Sequence, residues 1–94
     1  KAESEQVNAA FAAALAAGMP ADSPDALAAA EAHRRHIEAW FYDLDHSFHR
    51  GLADMYLADP RFTKTYEDIA PGLAAYVHDA IHANADARQG SERY

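Results

Sequence analysis

Four prolines, Pro20, Pro24, Pro60 and Pro71, constrain this 94-residue chain more than any other feature. Proline locks φ and lacks an N–H, so a helix interior does not tolerate it. Their neighbours turn these breaks into helix punctuation. Gly18 just before Pro20 is a stop signal. Ser23-Pro24-Asp25 reads as an N-cap, a first-turn proline and a first-turn acid. Asp59-Pro60 closes one helix and opens a short one through Ile69, because the residue before proline resists the α region. Ala70-Pro71-Gly72 makes the last break. Between breaks the residues are helix formers: alanine alone supplies about a quarter of the chain. No run alternates apolar and polar residues long enough for a strand. The expected architecture is all-α, four long helices and one short one, with residues 1–94 forming a single domain.

Helical spacing gives each segment an inward face. The first places Val7, Ala10, Phe11, Ala14 and Leu15 on one side. Over residues 24–58, Leu27, Ala30, Ile37, Phe41, Leu44, Phe48, Leu52 and Met55 keep intervals of three and four, with Arg34 as a polar intruder. One unbroken helix over that span would be too long for so small a domain, so a bend or loop is expected near residues 43–46. The last helix buries Leu73, Tyr76, Val77, Ala80, Ile81 and Asn84 or Ala85. From about residue 87 the tail is Gly, Ser and charge, and is expected to fray.

Charge and missing residue types exclude several functions. Eight Lys and Arg against 15 Asp and Glu leave a formal charge of −7, the wrong sign for gripping phosphates. There is no cysteine, which removes disulfides, thiolate zinc sites and cysteine nucleophiles and fits a cytoplasmic setting. No apolar stretch approaches the roughly 18 residues that span a bilayer, so no membrane partner is expected. The serines are Ser4, Ser23, Ser47 and Ser91, without a Gly-x-Ser-x-Gly elbow, so the chain is not expected to be an enzyme. It opens on Lys1 rather than Met, so it is read as part of a longer protein.

Six histidines are the one unusual count. They fall into helical pairs: His33 with His36, His46 with His49, and His78 with His82. Spacing of three or four puts both rings on one face, which a metal needs from two imidazoles. Yet the Glu-x-x-His unit of carboxylate-bridged bundles is absent. Metal or haem binding through these pairs is the rival reading; the main expectation is no metal and no cofactor. Between residues 40 and 56 the chain also concentrates aromatics: Trp40, Phe41, Tyr42, Phe48 and Tyr56. A helix wrapped on two sides by neighbours would explain them, and so would an aromatic groove for a small ligand.

The stretch Ala32-His33-Arg34-Arg35-His36-Ile37, then Trp40-Phe41-Tyr42-Asp43, then Phe48-His49-Arg50-Gly51-Leu52-Ala53-Asp54-Met55-Tyr56, resembles the TipAS antibiotic-recognition domain. So do Asp59-Pro60-Arg61-Phe62-Thr63 and the run from Ile69-Ala70-Pro71-Gly72-Leu73 through Tyr76-Val77-His78-Asp79-Ala80-Ile81. The resemblance covers about residues 7–85. It implies a globin-like helical fold without haem, serving as the effector half of a MerR-type transcription activator. It implies bulky ligands such as thiopeptide antibiotics, DNA contacts made only by an upstream domain outside this chain, and a homodimeric full-length protein. A free-standing antibiotic-sequestering protein is the other form the resemblance allows. Antibiotic-capturing members can carry cysteine in the segment that here reads residues 41–52. This chain offers Leu44 and Gly51 instead, so binding is expected to be non-covalent.

The lining expected from helical spacing is His33, His36, Trp40, Asp43, Ser47 and Arg50, which share a stripe distinct from the core one. Gly51 would let a ligand, or equally a neighbouring helix, approach closely. Tyr42, His46 and His49 are the second choice. Pro60, Phe62, Pro71 and Gly72 read as turn and packing residues.

Overall fold

The structure, a computed structural model, describes the backbone of residues 2–40 and 44–92 and the side chains of residues 5–39 and 44–89. It contains α1 (Ala2–Ala16), α2 (Pro24–Trp40), α3 (His46–Ala58), α4 (Pro60–Ile69) and α5 (Leu73–Glu92), with no strand among the described residues.

The punctuation acts as its chemistry requires. Gly18 takes φ +74°, and the Met19 and Gly18 amides bond back to the Ala14 and Leu15 carbonyls, both at 3.0 Å, in a Schellman stop. Ser23 Oγ accepts from the Ala26 amide at 3.3 Å, and Pro24 is the first helical residue. Asp59 serves two helices. Its amide donates to the Met55 carbonyl and closes α3, while its carboxylate accepts from the Arg61 amide and opens α4. Gly72, at φ +85°, lets the chain turn into α5, whose first amides are met from α4: Glu67 accepts from Gly72 and Ala74, both at 2.9 Å.

α5 is the axis of the bundle. It packs against all four other helices, while α1 pairs with α2 and α3 pairs with α4. Its predicted inward face is buried throughout, from Leu73, Tyr76 and Val77 to Ala80, Ile81, Asn84 and Ala85. Val7, Phe11 and Ala14 meet it from α1. The Tyr76 hydroxyl donates to the Met19 carbonyl at 2.9 Å and so ties α5 to the α1–α2 turn.

One expectation needs correction. Of the predicted inward residues on α3, Leu52 packs against the core, but Phe48 and Met55 do not. Phe48 and Met55 are exposed, at 53% and 37%, and the buried residues are His49, Ala53 and Tyr56. The predicted stripe carries one helical phase through residues 24–58, but α2 stops at Trp40 and α3 starts afresh at His46. The buried residues of α3 do not continue the α2 stripe, and residues 41–43, Phe41 among them, lie outside the described residues. α5 itself runs from Leu73 to Glu92.

Candidate ligand-binding site

The arrangement that builds the site begins with a buried acid. Glu31, on α2, is only 6% exposed. Its carboxylate accepts from Arg34 Nη2 at 2.6 Å, from Arg35 Nε at 3.3 Å and from Asn84 Nδ2 at 3.0 Å, and His46 Nε2 lies 3.0 Å away. Burial alone would raise its pKa. The Arg34, Asn84 and His46 contacts outweigh that and hold the carboxyl far below its ordinary range. Arg34 also donates to the Leu44 carbonyl at 2.7 Å, and Glu38 accepts from the Leu44 amide at 3.3 Å. One acid thus fixes where α3 begins relative to α2 and α5. Arg34, an intruder in an apolar stripe, is its main partner.

Beside this hub two histidines lie back to back. His33 and His49 stack with centroids 5.1 Å apart, and His33 Nδ1 lies 2.9 Å from His49 Nε2. With both rings neutral, one of these nitrogens donates and the other accepts. Burial, then the charge of His36, brings His33 down to about 4. Burial, then the charges of His33 and Arg34, brings His49 down to about 3. Tyr56 follows in line, its hydroxyl 3.4 Å from His33 Nε2 and its ring edge-on to His33 at 5.9 Å. Tyr56 in turn packs against Phe62 and Tyr66, with centroids 5.6 and 5.3 Å apart. Burial, and then Tyr56, push the Tyr66 hydroxyl's pKa well above its ordinary value.

This aromatic row forms the back of an open cleft of about 740 Å³. The α1–α2 pair and the α3–α4 pair stand on either side of it. α1 contributes Val7 and Asn8, α2 contributes His33, His36 and Ile37, α3 contributes Leu52, Met55 and Tyr56, and α4 contributes Phe62, Thr65 and Tyr66. Met55 and Phe62, both 37% exposed, hold apolar surface toward solvent at its edge. The lining is mostly apolar, with a few ring nitrogens, hydroxyls and one amide. That composition suits holding a bulky, partly apolar molecule.

The structure brings only part of the predicted lining together. His33 and His36 face the cleft. Ser47 and Arg50 do not: Ser47 Oγ accepts from Gln89 at 2.8 Å, and Arg50 pairs with Asp86 and donates to Gln89 at 3.1 Å, both against α5. His46 is engaged with Glu31, and His49 is fully buried behind His33. Gly51 is exposed, and a Cβ there would meet nothing within 4 Å, so no helix presses on it. Tyr42, Asp43 and the Trp40 side chain lie outside the described residues. The single stripe from His33 to Arg50 is therefore split, for the same reason that the core stripe is: the phase resets between α2 and α3.

What the spacing argument missed is the α4 wall. Phe62, Thr65 and Tyr66 on α4 face Leu52, Met55 and Tyr56 on α3, each set at intervals of three and one. Two consecutive helices with matched apolar sets, one too short to need a large core face, are the signal that would have placed one wall of the cleft on α3 and α4 together.

The residues 1–84 match the model of the TipAS antibiotic-recognition domain. The chain belongs to the TipAS family. Among its relatives, the HTH-type transcriptional activator TipA of Streptomyces coelicolor is 46% identical over 83 residues, covering 88% of this chain and 33% of TipA. The HTH-type transcriptional regulator SkgA of Caulobacter vibrioides is 37% identical over 76 residues, covering 80% of this chain and 30% of SkgA. The chain thus spans about a third of the curated relatives it matches. Two solved structures share the all-helical, globin-like TipAS fold. One is TipAS of Streptomyces lividans in complex with nosiheptide, from a thiopeptide antibiotic multidrug resistance system. It superposes with a TM-score of 0.86 at 44% identity, covering 92% of this chain and 60% of that one. The other is the antibiotic binding domain of a TipA-class multidrug resistance transcriptional regulator, with a TM-score of 0.85, 43% identity and 94% of both chains covered.

Proposed function

We propose that this TipAS domain is the ligand-sensing effector of a MerR-type bacterial transcription activator acting in the cytoplasm. It binds bulky thiopeptide-like antibiotics non-covalently and catalyses no reaction. The observation that carries this reading is the open aromatic cleft between the two helix pairs, in a fold shared with a nosiheptide-binding relative. His36, Ile37, Met55 and Phe62 supply its accessible wall, with His33 and Tyr56 at the back. Trp40 ends α2, close in sequence to His36 and Ile37, and serves as the reporter. The chain has no cysteine, so no thiolate of its own can add to a dehydroalanine. DNA binding and dimerisation belong to other parts of the full-length regulator, consistent with the −7 charge here.

The test is titration with nosiheptide, followed by melting temperature and Trp40 fluorescence, on this chain and on the full open reading frame. Binding should raise the melting temperature by mass action. Met55→Asp, which puts a charge on the cleft edge, should weaken binding at least about tenfold, the equivalent of about 1.4 kcal/mol. Arg50→Ala should leave it unchanged. A panel of thiazole-containing cyclic peptides that moves neither signal in either protein would overturn the reading.

A further inference from the structure

Away from the cleft, where α3 meets α5, three side chains of metal-ligand type converge: Asp54, His78 and His82. The two histidines stand one turn apart on α5, with ring centroids 4.5 Å apart. Asp54 reaches between them from α3. Its Oδ1 lies 3.1 Å from His78 Nε2 and 2.8 Å from His82 Nε2, and the three ligand atoms all fall within 4.8 Å of one another. A histidine pair at i, i+4 is a common product of helical spacing. A carboxylate aimed at both Nε2 atoms from a second helix is an independent observation.

The surroundings complete the pattern. His78 Nδ1 lies 2.9 Å from Asp79 Oδ1, so a carboxylate backs the ring on the side away from Asp54. Metal-bound histidines characteristically hold such a partner at their second nitrogen. The side chains of His78, His82 and Asp54 are 24%, 28% and 63% exposed, which leaves an ion a path in and room for water. Arg50 Nη1 lies 3.2 Å from His82 Nδ1 and donates to it, which leaves the His82 Nε2–H to donate to Asp54.

We propose that Asp54, His78 and His82 form a binding site for a divalent transition metal, zinc in type, with three protein ligands and a position open to water. Two imidazoles and one carboxylate suit zinc and its neighbours, whereas calcium and magnesium take oxygen sets. Binding replaces the two hydrogen bonds to Asp54 with bonds to the ion. His82 then keeps its proton on Nδ1, and Arg50 gives up that nitrogen while retaining Asp86 and Gln89. The ion ties α3 to α5 and so braces the helix that carries Leu52, Met55 and Tyr56 into the cleft.

The experiment uses the tag-free chain, stripped with EDTA and titrated with ZnCl₂ by calorimetry, with Co²⁺ absorption as an independent readout. One Zn²⁺ per chain should bind in the micromolar range, and Co²⁺ should give the visible bands of a low-coordinate nitrogen–oxygen site. The His78→Ala/His82→Ala double variant should weaken binding at least about 100-fold and abolish those bands. If that variant fails to fold, Asp54→Asn, at an exposed carboxylate, serves the same purpose. Wild-type binding no tighter than that of the folded variant, or no binding at millimolar Zn²⁺, would overturn the proposal.

Discussion

Lowering the pH from about 7.5 to about 5 should remove a large share of this domain's stability, and the His33–His49 pair sets the amount. Both rings are buried and face one another across 2.9 Å, so a second proton there loses hydration that the nearby Glu31 carboxylate does not make up. Their pKa values fall from 6.5 to about 4 and about 3 in the fold. The unfolded chain therefore binds more protons between about pH 6.5 and the folded values, and stability rises with pH across that window. A histidine that titrates at 6.5 when unfolded and stays neutral when folded costs about 2 kcal/mol at pH 5, hence about 4 kcal/mol for the pair. Small domains have about 5–15 kcal/mol in total, so acid unfolding should begin while most carboxylates are still ionised. Glu31 adds a second loss lower down: its folded pKa is depressed, so its contribution is complete above its unfolded value of 4.5 and fades below it. Urea unfolding followed by helical circular dichroism at both pH values measures the difference. His49→Gln, which removes one of the two titrating groups, should reduce the drop to about 2 kcal/mol whatever it does to absolute stability. A wild-type drop under about 1 kcal/mol, or one that His49→Gln leaves intact, would refute the reasoning.

Two further substitutions follow from packing and caps. Phe11 is fully buried between α1 and the rest of the core, so Phe11→Ala should cost about 3–5 kcal/mol by denaturant titration, with an unchanged m-value. Asp59→Ala removes the carboxylate that opens α4 and should cost about 1 kcal/mol, read as a melting-temperature decrease of several degrees.

The helix boundaries were legible because the residues that set them act locally. Ser23 and Pro24, Asp59 and Pro60, and Gly18 and Gly72 each satisfy or release backbone groups within a few positions of themselves. The α5 face was legible for a similar reason: one uninterrupted helix keeps one phase, and its six or seven apolar positions point to one core. The α3 face was not. Its phase depends on how the chain crosses from Trp40 to His46, and no spacing rule carries rotation across such a break. Glu31 was invisible for another reason. Its partners stand at positions 34, 35, 46 and 84, and only the first two are helical neighbours. The candidate site inherited both failures. His33 and His36 were found because they lie on α2 before the break, whereas Leu52, Met55 and Tyr56 needed the correct rotation of α3, and Phe62, Thr65 and Tyr66 needed the fold.

The central claim is that the cleft between the α1–α2 and α3–α4 pairs is where an antibiotic settles. Backbone amide chemical shifts recorded during a nosiheptide titration test it most directly. The largest changes should fall on His36, Ile37, Leu52, Met55, Phe62 and Thr65, with Ser47, Arg50 and the Asp54–His78–His82 cluster little moved. Changes concentrated on Ser47, Arg50 and the facing side of α5, with the cleft residues still, would contradict it.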